Sequence, residues 1–246
     1  MSPPPFETKY DSANSRIVTP SATSNSSGGS SSSNYIDLYL IHWPGAAKTA
    51  PTDRQNYWYR RQAWLTLQQA RDMGKIREIG VSNYCISHLE EMKSYTAETP
   101  AVNQVEYHPL NFSGQEQLVR YMKENGIRLD AYSSLGQGSP LLLSSATVAD
   151  IAAVLNKTNG QVLLRWALQH GCTVLPKTSS LHRLKENFEL DFSLTLDQMN
   201  QLDRLFSLSA PLGPASPNCV AQNLGYVKFA WDPANIPAFP DMKPTS

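Results

Sequence analysis

The chain carries no surplus of charge of either sign. Its 246 residues hold 21 Lys and Arg against 21 Asp and Glu, with a pI near 7.0. That balance lacks the basic excess with which nucleic-acid binders meet phosphate. No apolar run approaches the ~18 residues that a membrane-spanning helix needs. The start, Met1-Ser2-Pro3-Pro4-Pro5, lacks the basic and apolar regions of a secretory signal. Cysteine is scarce. Cys85, Cys172 and Cys219 are odd in number and far apart, which gives neither a disulfide framework nor a Cys-x-x-Cys metal site. These absences lead us to expect a cytoplasmic protein with reduced thiols, no metal, no membrane and no nucleic-acid partner.

What the first 34 residues do have is serine, 11 of them, ending in the run Ser26–Ser33. Such a segment buries too little apolar surface to offset an ordering entropy of roughly 1–2 kcal/mol per residue. Residues 1–34 therefore read as a disordered linker, with one short-strand candidate at 6–10. From Tyr35 the texture changes. Ile36–His42 reads as a largely buried strand, and Tyr57–Met73 as a helix ended by Gly74. Ile79–Ser82, Ala101–Tyr107, Ile127–Ser133 and Thr173–Pro176 read as further strands. Between and after them lie helices at Leu89–Tyr95 with Ser87 as cap, Gln115–Asn125, Thr147–Asn156, Gln161–His170, Leu181–Asn187 and Leu196–Leu208, the last capped by Thr195. Trp58, Trp64 and Trp166 sit at helical spacing and read as packing residues. His88, His170 and His182 read as surface or structural. Residues 210–246 are Pro-rich and form an irregular tail.

Alternating strands and helices imply a parallel sheet covered by helices. A doubly wound sheet and a (β/α)8 barrel both fit that rhythm. The dinucleotide fingerprint G-x-G-x-x-G is absent: Gly136-Gln137-Gly138 starts one, but Leu141 holds its last position. Polar residues collect just after the strands instead, at His42, Ser82-Asn83, Glu106-Tyr107-His108, Ser133-Ser134 and Lys177-Thr178-Ser179. In a barrel those positions converge on one mouth.

At these residues the chain resembles the aldo-keto reductase family. The motifs are D-L-Y-L-I-H-W-P (37–44), G-K-I-R-E-I-G-V-S-N-Y (74–84), N-Q-V-E-Y-H-P (103–109), A-Y-S-S-L-G (131–136) and L-P-K-T-S (175–179), followed by Arg183 and Glu186-Asn187. The resemblance covers roughly residues 35–240. It implies an α/β fold of the (β/α)8 TIM-barrel type, with residues 35–209 as a partial barrel, and NADPH-dependent reduction of a small carbonyl substrate. It implies that His42 orients the carbonyl, and that Ser82, Asn83 and Gln104 hold the nicotinamide carboxamide. Tyr132 would stack on the nicotinamide ring, and Ser133 and Leu135 would follow the pyrophosphate. Lys177, Thr178 and Arg183 would grip the adenosine 2′-phosphate, with Ser179 on the same loop and Glu186 and Asn187 at the adenine. Trp43 and Trp231 are candidates for the substrate pocket. The donor chemistry agrees: amides and hydroxyls suit an uncharged carboxamide, and a Lys with an Arg suits a dianionic phosphate.

The family's catalytic set is Asp, Tyr, Lys and His. Lys9, 33 positions before His42, fits the Lys, whereas no counterpart of the Asp or Tyr precedes Asp37. The sequence alone therefore supports three readings: an active reductase, an NADP(H)-binding member without turnover, and a truncated product lacking the first barrel units. The third carries the further expectation of open barrel edges that pair between molecules.

Overall fold

The computed structural model describes residues 35–205, with residues 48 and 51 excepted. Strands β1 (Ile36–Ile41), β2 (Ile76–Ser82), β3 (Val102–Glu106), β4 (Arg128–Tyr132) and β5 (Thr173–Val174) form one sheet in chain order. Every pairing is parallel, with Ile36 opposite Ile76, Ser82 opposite Gln104, Glu106 opposite Tyr132 and Asp130 opposite Thr173. Helices α1 (Gln55–Asp72), α2 (Ile86–Met92), α3 (Phe112–Glu124), α4 (Pro140–Leu143), α5 (Ala146–Leu155) and α6 (Asn159–Gln169) connect them. Helices α7 (Leu181–Phe188) and α8 (Leu196–Asp203) follow β5. Sequential parallel strands joined by helices are consecutive βα units, the repeat of a (β/α)8 barrel. Five such strands are found among the described residues.

The two faces of the sheet differ because successive side chains alternate. In β1 to β4 the odd-numbered residues Ile41, Ile79, Val81, Val105, Leu129 and Ala131, joined by Val174 opposite Ala131, pack into one apolar core with Trp64 of α1, Met122 of α3 and Trp166 of α6. Asn103 faces the same way, fully buried, with its amide donating to the Tyr84 carbonyl. The even-numbered positions carry Ser82, Gln104, Glu106, Asp130 and Tyr132 on the other face. Gly80 lies on that face under Leu40. A Cβ there would stand 2.7 Å from Leu40 Cδ2 and 2.7 Å from the Val102 carbonyl.

Several expectations need correction. Strand β1 is not largely buried: Ile36 and Tyr39 are exposed, and among the described residues β1 pairs only with β2. Strand β2 begins at Ile76, because Arg77 and Glu78 extend along β1. Helix α2 starts at Ile86, where the Cys85 N–H donates to His88 Nδ1 at 3.2 Å, so Ser87 lies inside the first turn. Ser145, not Thr147, precedes α5. Thr158 caps α6 in a reciprocal box with Gln161. Thr195 and Gln198 repeat that box at α8, as read from the sequence. Strand β5 spans two residues only. Trp64 and Trp166 are buried, but Trp58 is exposed. Cys172 is a buried free thiol. No described helix is long and apolar enough to cross a membrane. The strand candidate at 6–10, Lys9, Cys219, Trp231 and the tail lie outside the described residues.

Candidate functional site

The carboxyl ends of β1 to β4 bring five of the sequence-predicted residues into one hydrogen-bonded group. His42 follows β1 and is exposed. Its backbone carbonyl accepts from Asn83 Nδ2 at 3.0 Å. The same amide approaches Ser82 Oγ at 3.2 Å, and Ser82 Oγ donates to the Gln104 carbonyl at 2.8 Å. Tyr132 Oη donates to Asn83 Oδ1 at 2.8 Å. Three adjacent strands are thereby tied to the exit of a fourth through one asparagine.

Asn83 holds a left-handed backbone, φ 62°, and Ser133 holds φ 51°. Such conformations cost non-glycine residues about 1–3 kcal/mol and gather at functional sites. Asn83 is locked there on both sides of its peptide, since its N–H donates to the Gln104 carbonyl at 2.9 Å while its side chain bridges His42 and Tyr132. Burial holds the Tyr132 phenol above its usual pKa, and the Glu106 carboxylate adds to this. The phenol therefore stays a neutral donor. Gln104 is half-buried, and its side-chain amide has no hydrogen bond among the described residues. Leu135 is half-buried against the core. Beyond it, Gly136, Gln137 and Gly138 are left-handed in succession.

A second group follows β5. Thr178 Oγ1 accepts from the Ser180 N–H at 3.1 Å and from Arg183 Nε at 3.3 Å. Ser180 caps α7 through the Arg183 N–H. Lys177, Ser179 and Arg183 are exposed, and Glu186 and Asn187 are half-buried. Lys177 makes no ion pair among the described residues. The box residue Gln161 of α6 donates to the Glu186 and Glu189 carbonyls at 3.2 and 3.1 Å, which fixes the far end of α7.

The triplet Glu106-Tyr107-His108 divides. Glu106 and His108 are buried together, with Oε1 and Nε2 3.4 Å apart. Tyr107 turns to the core and stacks on Trp166, centroids 5.0 Å apart. His88 is buried and neutral, its pKa pushed down by burial and by Arg60. His170 meets Asp203 at 2.9 Å, and His182 is exposed.

One polar group escaped the sequence reading. Arg60 on α1 meets Glu91 on α2 bidentately, Nε to Oε1 at 2.7 Å and Nη2 to Oε2 at 2.6 Å. Both side chains are more than nine-tenths buried. Arg60 Nη1 also donates to the Pro44 carbonyl at 2.8 Å. One turn earlier, Asn56 is buried and reaches the same loop. Its Oδ1 accepts from the Ala46 N–H at 3.0 Å and its Nδ2 donates to the Ala50 carbonyl at 2.8 Å. The only local signal was the i, i+4 spacing of Asn56 and Arg60. Their partners are remote in the chain.

Comparisons with known proteins agree with this geometry. The model of the aldo/keto reductase family matches residues 29–206. A glyoxal reductase of Bacillus subtilis is 43% identical over 172 residues, covering 70% of this chain and 57% of the relative. A 9,11-endoperoxide prostaglandin H2 reductase of Trypanosoma cruzi is 40% identical over 173 residues, covering 70% of this chain and 56% of the relative. The crystal structure of a Bombyx mori aldo-keto reductase in complex with NADP superposes with a TM-score of 0.61 at 31% identity, covering 70% of this chain and 58% of that one. The chain thus spans less than two thirds of the length of the curated relatives it matches. With a family model matched over most of its length and five βα strands in family order, the chain belongs to the aldo/keto reductase family.

Proposed function

We propose that the protein binds NADP(H) along the carboxyl ends of its strands and reduces small carbonyl compounds such as glyoxal. The observation that carries this reading is the Asn83-centred group of His42, Ser82 and Tyr132, beside a half-buried Gln104 amide that has no hydrogen bond among the described residues. A half-buried amide with free donors and an acceptor can exchange them with a ligand amide. Ser82, Asn83 and Gln104 fit a carboxamide by this chemistry. The half-buried Tyr132 ring offers a face to the nicotinamide, and Tyr132 Oη keeps Asn83 oriented. Ser133 and Leu135 line the turn toward the pyrophosphate. Lys177, Thr178 and Arg183 suit the 2′-phosphate, with Ser179 beside them and Glu186 and Asn187 at the adenine.

NADPH, when bound, would supply the hydride to the carbonyl carbon, and the carbonyl oxygen would take a proton from solvent to give the alcohol. His42 presents an imidazole N–H to the carbonyl oxygen and so fixes which carbon face is offered. Trp43 walls the substrate side. Lys9 and Trp231, outside the described residues, belong to the same reading as catalytic lysine and second pocket aromatic. The two relatives above are named for glyoxal and for a prostaglandin endoperoxide, so this reading specifies the cofactor more narrowly than the substrate.

The test titrates the full chain with NADPH and with NADH, then follows NADPH oxidation on adding glyoxal. Saturable binding that favours NADPH, with glyoxal-dependent oxidation, is expected. Binding without oxidation would remove the reductase reading and keep the cofactor reading. Absence of NADPH binding would remove both.

A further inference from the structure

We infer that Asn56, Arg60 and Glu91 are positioning residues: a buried clamp that fixes the loop after β1 and so sets Trp43 against the carbonyl substrate. This rests on the functional reading above. Trp43 lies between two gripped carbonyls. That of His42 is held by Asn83 Nδ2, from the end of β2. That of Pro44 is held by Arg60 Nη1, from α1. The Trp43 ring packs on Cys85, at the start of the helix that carries Glu91. Asn56 then takes both a donor and an acceptor from the next turns of the loop, at Ala46 and Ala50.

The chemistry of the pair favours positioning over cohesion. Burying a guanidinium and a carboxylate removes both from water, and two apolar side chains would join α1 to α2 at least as well. Apolar side chains could not reach the Pro44 carbonyl. A guanidinium can, because its planar fork serves Glu91 with two N–H groups and leaves a third pointing away. His88 packs nearby and is held neutral, so it adds no second positive charge beside Arg60.

The test compares the full chain with two variants. Arg60→Met/Glu91→Met removes the ion pair together and leaves no lone buried charge. Asn56→Ala removes only the two loop hydrogen bonds. In both, the NADPH Kd should hold within twofold, while the KM for glyoxal rises about 10-fold with a smaller change in kcat. Amide exchange at Ala46 should accelerate in Asn56→Ala. A KM unchanged in both variants, a KM that rises only in step with the NADPH Kd, or unaltered exchange at Ala46 would each overturn the clamp. If the parent chain does not oxidise NADPH at all, the functional reading fails separately. Exchange at Ala46 then decides whether the loop is held.

Discussion

Replacing Tyr132 by Phe isolates one hydrogen bond at the centre of the site. The ring and its packing remain. What is lost is the donor to Asn83 Oδ1 at 2.8 Å, and Asn83 is only 6% exposed. Leaving a buried acceptor unpartnered costs about 1–3 kcal/mol. Tyr132 is half-buried, so water can partly replace the phenol, and the lower part of that range, about 1–2 kcal/mol, is expected. Urea denaturation should show this as a lower midpoint at unchanged slope. The double variant with Asn83→Ala tests the route. If the phenol acts through the asparagine, Tyr132→Phe should cost nothing further once Asn83 is Ala. Additive losses would refute the reasoning, as would a single-variant loss below ~0.3 kcal/mol, within the scatter of independent sites. NADPH affinity should fall in parallel, by up to about 10-fold for 1.4 kcal/mol of lost amide orientation.

Three further outcomes follow from the same geometry. Lys177→Ala and Arg183→Ala should each weaken NADPH about 10-fold and leave NADH nearly unchanged, because a charge-assisted contact acts only on the 2′-phosphate; equal losses for both nucleotides would place that phosphate elsewhere. Gly80→Ala should lower stability by about 1–3 kcal/mol, because its Cβ meets the Val102 carbonyl as well as Leu40, and the backbone oxygen cannot move aside cheaply; an unchanged urea midpoint would contradict this. Burial raises the pKa of Tyr95, Tyr107 and Tyr132 in the fold. Their neutral forms stabilise the fold fully below the unfolded value of about 10, and that stability is lost as pH rises from there toward their folded values. The phenolate absorbance of these three should therefore appear together with unfolding above pH ~10, and their gradual titration in the folded chain would refute it.

The sequence made the repeating architecture legible, because apolar strands and capped helices each carry a short-range pattern. Thr195 shows this well: hydroxyl and amide lie within one turn. The same box at Thr158 and Gln161 is equally local. Strand β2 was less legible. Arg77 and Glu78 interrupt its apolar run, and Arg77 is accommodated only because β1 leaves it exposed beside Asp37 and Tyr35. Tyr107 was placed with its polar neighbours, but alternation sends it to the core. At the site, residue types and order pointed to the cofactor side. The bridging role of Asn83 could not be read, since it joins residues 41 and 49 positions away. The clamp was invisible for the same reason.

The order of the strands bears on how the chain is made as well as on what it holds. Among the described residues, each strand after β1 pairs with the one before it in the sequence, and no pairing skips a unit. A nascent chain can therefore add each strand to a template that has already left the ribosome, without waiting for a distant segment. The closing loops are short on the scale of the chain, so each addition carries a modest entropic penalty. The Asn83 bridge then becomes a checkpoint in time. His42 and Ser82 are available early, but Asn83 gains its last partner only when Tyr132 emerges, and the cofactor side of the site takes shape at that moment of synthesis.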